Sequence, residues 1–168
     1  MRAVHESEQQ EASEMQPPVA TDPRELPFVQ DALASIAQGG YAEAVARVAC
    51  MLLRNDGTLP LARLILRQEL AADYAEYMPQ MAPDAWRRMR GEQEIIVRYE
   101  PAQALATLPD LLDDADDRRR LLTLIDKLLA DSRVQGIETE AQREMLADIR
   151  AVLPLKAART ARRSAPAH

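Results

Sequence analysis

Histidine and cysteine, the residues that most often activate or perform nucleophilic catalysis, are nearly absent from this sequence. The only two histidines, His5 and His168, lie near the two ends of the 168-residue chain, and Cys50 is the only cysteine. A Ser-His-Asp or Cys-His arrangement needs an imidazole beside its nucleophile, so the central part of the chain cannot supply one. Cys50 lies between Ala49 and Met51 in a helical pattern, and we therefore expect it to be a packing residue.

Motifs that bind nucleotides or define hydrolases are also missing. The sequence contains no G-x-x-x-x-G-K-[ST], no G-x-G-x-x-G and no G-x-S-x-G pattern, so neither a phosphate-binding loop nor a nucleophile elbow is predicted. Catalysis would depend on carboxylates alone. We therefore predict that the protein is not an enzyme.

Carboxylates are abundant, which makes a divalent metal the one cofactor to consider. The densest acidic cluster consists of Asp110, Asp113, Asp114, Asp116 and Asp117. Its spacing does not reproduce the D-x-[DN]-x-[DN]-G loop that brings oxygens together around Ca²⁺. Acids at a helix start are stabilised by the helix dipole, and Asp114–Arg118 and Asp116–Arg120 have i,i+4 spacing. We therefore interpret the cluster as a charged helix start, without a cofactor.

The charge balance argues against nucleic acid as a partner. The chain has 27 acidic side chains against 21 lysines and arginines, a net charge of -6, so its long-range attraction for a polyanion is weak. Apolar runs fall well short of the roughly 18 residues that span a membrane. Together with the single cysteine, these features predict a cytoplasmic protein with no membrane association.

Composition divides the chain into three parts. Residues 1–27 are acidic and proline-rich and predict a disordered lead-in, whereas residues 156–168 predict a flexible basic tail. Residues 28–155 show apolar residues at helical spacing, with the most regular apolar face around Ile125. The whole chain has only 5 glycines, too few for an all-β protein. We predict a single all-α domain, a bundle of about seven helices.

Local signals predict several helix boundaries. Gly39-Gly40 is expected to end the first helix as a C-cap, and Gly91 could weaken the middle of a later one. Side chains that can cap helix starts are Asp84, Asp113 or Asp114, and Thr139 in a capping box with Gln142.

A helix–turn–helix layout around residues 45–70 has a second, looser copy around residues 121–153. This arrangement resembles the tellurite-resistance TerB family, an all-helical fold whose motif runs helix, Asp-Gly, then a Glu that opens the next helix. Acidic turn residues of that family are associated with metal binding. In the first copy, Asp56-Gly57 matches the Asp-Gly pair, and Arg63 occupies the position of the Glu.

The second copy aligns with the TerB motif in two ways. Matching on Gly136 places glutamines at both acidic positions. Matching on Asp131 keeps Glu138 at the expected spacing and puts Ser132 in place of the glycine. The resemblance implies an alternative function, a metal-binding stress protein of the tellurite-resistance type, with candidate ligands Asp56, Asp131 and Glu138.

A second similarity covers the middle of the chain. The runs RGEQEIIV at 90–97 and ALATLPDLL at 104–112 resemble the C-terminal helical region of polyhydroxyalkanoate-synthase-like proteins. Those are bacterial α/β-hydrolase-type proteins whose C-terminal region is itself TerB-like. The resemblance implies a helical accessory module with a protein partner, either a polyester-synthase-like or a related α/β-hydrolase protein. We therefore predict a non-catalytic interaction or regulatory module of a bacterial cytoplasm.

Large amphipathic side chains near a proline-bounded loop are candidates for the partner-binding surface, because such side chains often dominate interface energies. The alternative is that they fill a gap between helices. The candidates are Tyr74, Tyr77, Met81, Trp86 and Met89.

Overall fold

The computed structural model describes residues 22–53 and 61–154, with the side chains of 61–64 excepted. The regular secondary structure of this part of the chain is helical, without strands, and the prediction of an all-α bundle of about seven helices is confirmed. The α-helices are α1 (Pro27–Ala34), α2 (Tyr41–Leu53), α3 (Leu61–Asp73), α4 (Pro83–Tyr99), α5 (Pro101–Ala106), α6 (Ala115–Ala130) and α7 (Glu140–Val152). Short 3₁₀ helices are formed by Pro23–Glu25, Ala75–Tyr77 and Leu108–Leu111. None of the described helices is both long and apolar enough to cross a bilayer.

The core forms where α2 packs against α4, with α1 against α4 and with α6 and α7 against α2. Apolar residues three and four positions apart share one face of a helix, and these are the faces that become buried. The buried side chains include Val45, Val48 and Met51 of α2, Ile96 and Val97 of α4, Leu121 and Ile125 of α6, and Leu146 and Ile149 of α7. α4 continues through Gly91 without a break.

A fully buried arginine, Arg47 of α2, connects three further segments to the core. Its Nε donates to Gln93 Oε1 (2.7 Å), its Nη1 to Thr107 Oγ1 (2.9 Å) and Ala104 O (3.3 Å), and its Nη2 to Ile36 O (2.7 Å). The two carbonyls lie near the C-terminal ends of α5 and α1, where the helix dipole favours a positive charge. Burial lowers the pKa of Arg47 to about 10, so the guanidinium stays charged at neutral pH. Sequence patterns did not single out this residue.

Two of the predicted helix caps are confirmed. The Asp114 side chain accepts the Asp116 N–H (2.7 Å) at the start of α6. Thr139 and Gln142 form the capping box of α7, and the Gln142 amide also donates to Leu52 O at the end of α2 (2.8 Å). Gln142 therefore stabilises both α7 and its contact with α2.

The prediction that Asp84 caps α4 is wrong. Pro83 is the first residue of this helix and Ala82 is its N-cap, without a side-chain hydrogen bond. Proline suits the first helical position because its fixed φ is helical and no N–H is needed there. The helix therefore begins one residue before Asp84, whose carboxylate lies within the first turn.

Gly39 and Gly40 do not form the direct end of α1, which stops at Ala34. Gly39 instead has a φ of 133°, and a Cβ there would come within 2.7 Å of Glu43 Cγ. Gly40 donates its N–H to Glu43 Oε2 (2.8 Å) at the start of α2. The glycine pair thus shapes the entry into α2.

The expected i,i+4 pairs at the start of α6 are absent from the ion pairs of the described residues. Arg118 instead donates to Leu112 O. Arg120 donates to Glu76 O (2.9 Å), and its guanidinium lies 4.4 Å from the ring centre of Tyr41. Arg118 and Arg120 therefore bind backbone carbonyls outside α6 instead of the acidic side chains at the start of this helix.

The folded part also begins earlier than residue 28. Arg24 of the first 3₁₀ helix donates to Glu100 Oε1 (2.9 Å) and to Tyr99 O (2.8 Å). The prediction of a disordered lead-in is wrong for residues 22–27, because this arginine finds acceptors at the end of α4. Residues 1–21 and the predicted basic tail at 156–168 lie outside the described residues.

Candidate functional site

A cavity of about 350 Å³ lies between α3 and the helices α2, α4 and α6. We call it the groove. Its lining is mostly aliphatic, with Val48 and Leu52 from α2, Ala71 from α3, and Leu124 and Leu128 from α6. Small-molecule sites in proteins are concave and mostly apolar, with volumes of roughly 300–1,000 Å³. The groove therefore has the size and the polarity of a ligand site.

Helical periodicity explains why these side chains meet. Leu121, Leu124, Ile125 and Leu128 form one face of α6, and Val45, Val48, Ala49 and Leu52 form the facing stripe of α2. α3 adds lining residues three to four positions apart, so that its inner side forms the outer wall. Among the described side chains, these three stripes leave the groove between them.

Two of the predicted partner-binding residues line the groove. Trp86 is half-buried, packs against the core and forms part of the α4 wall. Tyr74 is half-buried after α3, and its hydroxyl donates to Asp131 Oδ2 (2.8 Å). Tyr77 is also half-buried, with Lys127 Nζ lying 5.6 Å from its ring centre. Met81 is 37% exposed.

Met89 does not belong to this surface, because its side chain is only 8% exposed. It lies three residues after Trp86 and four before the buried Gln93, on the side of α4 that faces the core. The sequence placed it with the aromatic residues because helical spacing alone does not show where a surface ends.

Two arginines provide the positive charge of the groove. Arg67 of α3 and Arg90 of α4 both line it, and both are half-buried. Burial, together with the positive charge of Arg90, lowers the pKa of Arg67. None of the ion pairs among the described residues involves either guanidinium. An anion in the groove would therefore meet two positive groups.

Cys50 packs beside this region, as its sequence context predicts. Its Sγ lies 3.9 Å from Arg90 O, and burial raises the pKa of the thiol to about 11. Because the thiolate is the nucleophilic form, we expect Cys50 to react slowly at neutral pH.

The candidate metal ligands that the structure describes are used in other ways. Asp131 accepts hydrogen bonds from Arg133 Nε (3.0 Å) and Nη2 (2.8 Å), and these bonds with that from Tyr74 hold the pKa of Asp131 well below its usual range. Glu138 Oε2 accepts the Gly136 N–H (3.0 Å). Within residues 22–53 and 61–154, no group of three or more His, Cys, Asp or Glu side chains could hold a metal ion.

Asp56, the third candidate, lies outside the described residues. The metal-binding function therefore stays a prediction. Calorimetric titration of the parent and of Asp56→Asn with Ca²⁺, Mg²⁺, Zn²⁺ and Mn²⁺ tests it, because a specific site would be lost in the variant.

A cluster of charges anchors one end of the groove wall. Arg133, in the loop after α6, pairs with Asp73 (2.7 Å), Glu69 (4.0 Å) and Asp131 (2.8 Å). We call these four residues the Arg133 cluster. Since Glu69 and Asp73 belong to the last turns of α3, the cluster ties α3 to the loop between α6 and α7.

Sequence reasoning missed Arg67, Arg90 and the leucines of α6 as parts of one site. The apolar spacing of α6 was visible, but nothing in it indicated that α3 would cover this face incompletely. Comparisons with protein-family models, with curated proteins and with solved structures find no match for this chain.

Proposed function

We propose that this chain is a non-catalytic helical interaction module and that the groove is its binding site. The observation that carries the proposal is the apolar cavity of about 350 Å³ among α2, α3, α4 and α6. The apolar side chains that line such a cavity are in contact with water. A ligand that covers this apolar surface removes it from water, which favours binding.

The groups around the groove support binding rather than catalysis. Cys50 is held as a neutral thiol, and Asp131 is paired with Arg133. Trp86 and Tyr74 add aromatic surface, which is common at recognition sites because it offers a large contact area with few rotatable bonds.

The nature of the partner is suggested by the sequence resemblance. A polyester-synthase-like or related α/β-hydrolase protein in a bacterial cytoplasm would be the chain that this module accompanies or regulates. The acidic net charge of -6 disfavours nucleic acid as a partner.

Adjacent alanines of α3 allow a matched test. Ala71 lines the groove, whereas Ala72 is exposed and is not among the lining residues. We expect Ala71→Phe to fill the groove and Ala72→Phe to leave it open, with both variants folded because both positions are exposed. The full-length parent and the two variants are immobilised and exposed to extract of the source organism.

The proposal predicts that a protein captured by the parent is also captured by Ala72→Phe and is lost from Ala71→Phe. Equal capture by all three proteins would show that the groove is not the binding site. Turnover of a substrate by the purified parent would contradict the non-catalytic role.

A further inference from the structure

We propose that the groove binds a free single-chain carboxylate, such as a medium-chain fatty acid, with its alkyl chain along α6 and its carboxylate at Arg67 and Arg90. This inference rests on the proposed function, because it takes the groove as the binding site. It adds the chemical class of the ligand.

The apolar part of the ligand follows from the groove lining. α2 and α6 contribute Val48, Leu52, Leu124 and Leu128 to it, all of them aliphatic and without hydrogen-bonding side chains. Each methylene group of a ligand that contacts this aliphatic lining is removed from water, and this transfer strengthens binding. A volume of about 350 Å³ lies at the small end of the range for ligand sites, which suits a single chain better than a bulky ring system.

The anionic end of the ligand follows from the two arginines. Arg67 of α3 and Arg90 of α4 line the same cavity. The pKa of Arg67 is lowered first by burial and second by the positive charge of Arg90. Guanidinium groups bind carboxylates through paired, charge-assisted hydrogen bonds. A carboxylate between them would offset the repulsion and satisfy donors that have no acidic partner among the described residues.

In the described part of the chain, every fully buried side-chain nitrogen or oxygen has a hydrogen-bond partner. Glu94 lies one turn beyond Arg90 on α4, but its side chain is exposed and no ion pair joins the two. A ligand carboxylate at these arginines would therefore displace no ion pair of the described residues.

Specific protein interfaces bury about 800 Å² on each partner, and the groove has room for one extended chain only. A carboxylate bound in the groove would therefore fill a part of the surface that the protein partner covers. A protein segment that fills the groove by itself is the competing outcome of the test.

The test uses Trp86, the only tryptophan of the chain, which lines the groove and reports its occupancy. The full-length protein is titrated with decanoate, with uncharged decanol and with cationic decyltrimethylammonium, all below their micellar concentrations, while Trp86 emission is recorded. We expect saturable binding in which decanoate is bound most tightly. Arg67→Gln and Arg90→Gln should each weaken decanoate roughly tenfold and leave decanol unchanged, whereas Arg88→Gln, on the exposed side of α4, should bind like the parent.

Groove occupancy is checked with the alanine pair and a second measurement. Ala71→Phe should lose decanoate binding and Ala72→Phe should keep it. Decanoate should also raise the melting temperature of the parent, because a ligand that binds only the folded state stabilises it.

Failure of this inference can be distinguished from failure of the proposed function. If decanoate does not bind but Ala71→Phe still loses a captured protein, the groove serves a protein segment and the fatty-acid inference is overturned alone. The carboxylate assignment would be overturned if decanol or decyltrimethylammonium bound as tightly as decanoate. It would also be overturned if both arginine variants bound decanoate with unchanged affinity. Decanoate binding that Ala71→Phe does not reduce would show that decanoate binds outside the groove and would overturn this inference.

Discussion

Arg47 is a charged residue that the core accommodates without a carboxylate. It is fully buried, and its hydrogen bonds go to an amide, a hydroxyl and two carbonyls. Burying a charge is costly unless hydrogen bonds replace its hydration. Here the ends of α1 and α5 provide the compensating partial negative charges, so that one side chain joins α2 to three other segments.

Replacement of Arg47 is expected to be strongly destabilising. Arg47→Lys keeps the charge but cannot reach all four acceptors, and Arg47→Met leaves Gln93 and Ile36 O without their donor. Each change should lower the free energy of unfolding by about 3 kcal/mol, measured by urea denaturation. Arg88→Met is the control, because Arg88 is exposed on α4 and its replacement should cost less than about 0.5 kcal/mol. A parent-like midpoint for both Arg47 variants would contradict this role.

The buried Cys50 thiol should make the stability of the folded protein decrease at alkaline pH. Burial raises its pKa from 9.0 to about 11, and burial also raises the pKa of Tyr41 to about 12. Between pH 9 and 11 the folded state holds the Cys50 proton while the unfolded state has lost it, so stability must fall as the pH rises through this range.

We therefore expect the melting temperature to decline above about pH 9, and to decline less steeply in Cys50→Ala. Iodoacetamide should alkylate the native protein slowly at pH 8 and the urea-unfolded protein rapidly. Rapid alkylation of the native protein would show that the thiol is accessible and that its pKa is not raised.

At the scale of elements, helix starts depend on residues close together in the sequence, whereas contacts between helices depend on residues far apart. The capping box of Thr139 and Gln142 and the cap at Asp114 were predicted, because each involves residues within three positions of one another. The partners of Arg118 and Arg120 were not predicted. Leu112 O lies in the turn just before α6, and Glu76 O belongs to a segment 44 residues away in the chain.

The Arg133 cluster is expected to control the order of α3. Arg133→Gln removes the guanidinium bonds to Asp73 and Asp131. Hydrogen exchange in the last turns of α3 should become faster, while exchange in α2 and α4 stays unchanged. Arg143→Gln is the matched control, since Arg143 pairs with Glu140 within α7.

The same cluster should weaken in acid. The pKa of Asp131 lies below its usual range in the folded state, so the contribution of the cluster is complete at neutral pH. It is lost as the pH falls below the ordinary value of 3.8 toward the lower folded pKa. In this acidic range, the hydrogen-exchange rates of α3 in the parent and in Arg133→Gln should become equal. Equal rates at neutral pH would exclude the anchoring role of the cluster.

At the scale of the whole molecule, α6 contributes both to the core and to the groove. Ile125 is 4% exposed, belongs to the buried core and also lines the groove. The fold therefore leaves a cavity directly beside its main core instead of in a separate layer. Binding in the groove is expected to depend on the integrity of the bundle.

Ile125→Asp is expected to unfold the domain, because an unpaired buried carboxylate costs several kcal/mol, a large part of the stability of a small domain. Circular dichroism should show loss of helix or of the cooperative melt. Ala147→Asp introduces the same carboxylate at an exposed position of α7, and this variant should melt within a few degrees of the parent. A parent-like melt of Ile125→Asp would show that this face of α6 is not buried.

For the part of the chain that the structure describes, the sequence by itself determined the all-α fold class, about where the helices begin, and which faces they bury. These properties depend on spacing and capping within a few residues, and Ile125 and Thr139 could be assigned for that reason. The tertiary structure alone decided that Met89 is buried, that Arg24 reaches α4, that Arg47 joins the ends of α1 and α5, and that Arg67 and Arg90 line one cavity. Those outcomes depend on which helices pack together and how completely they fill the space between them, and that is set by contacts between residues far apart in the chain.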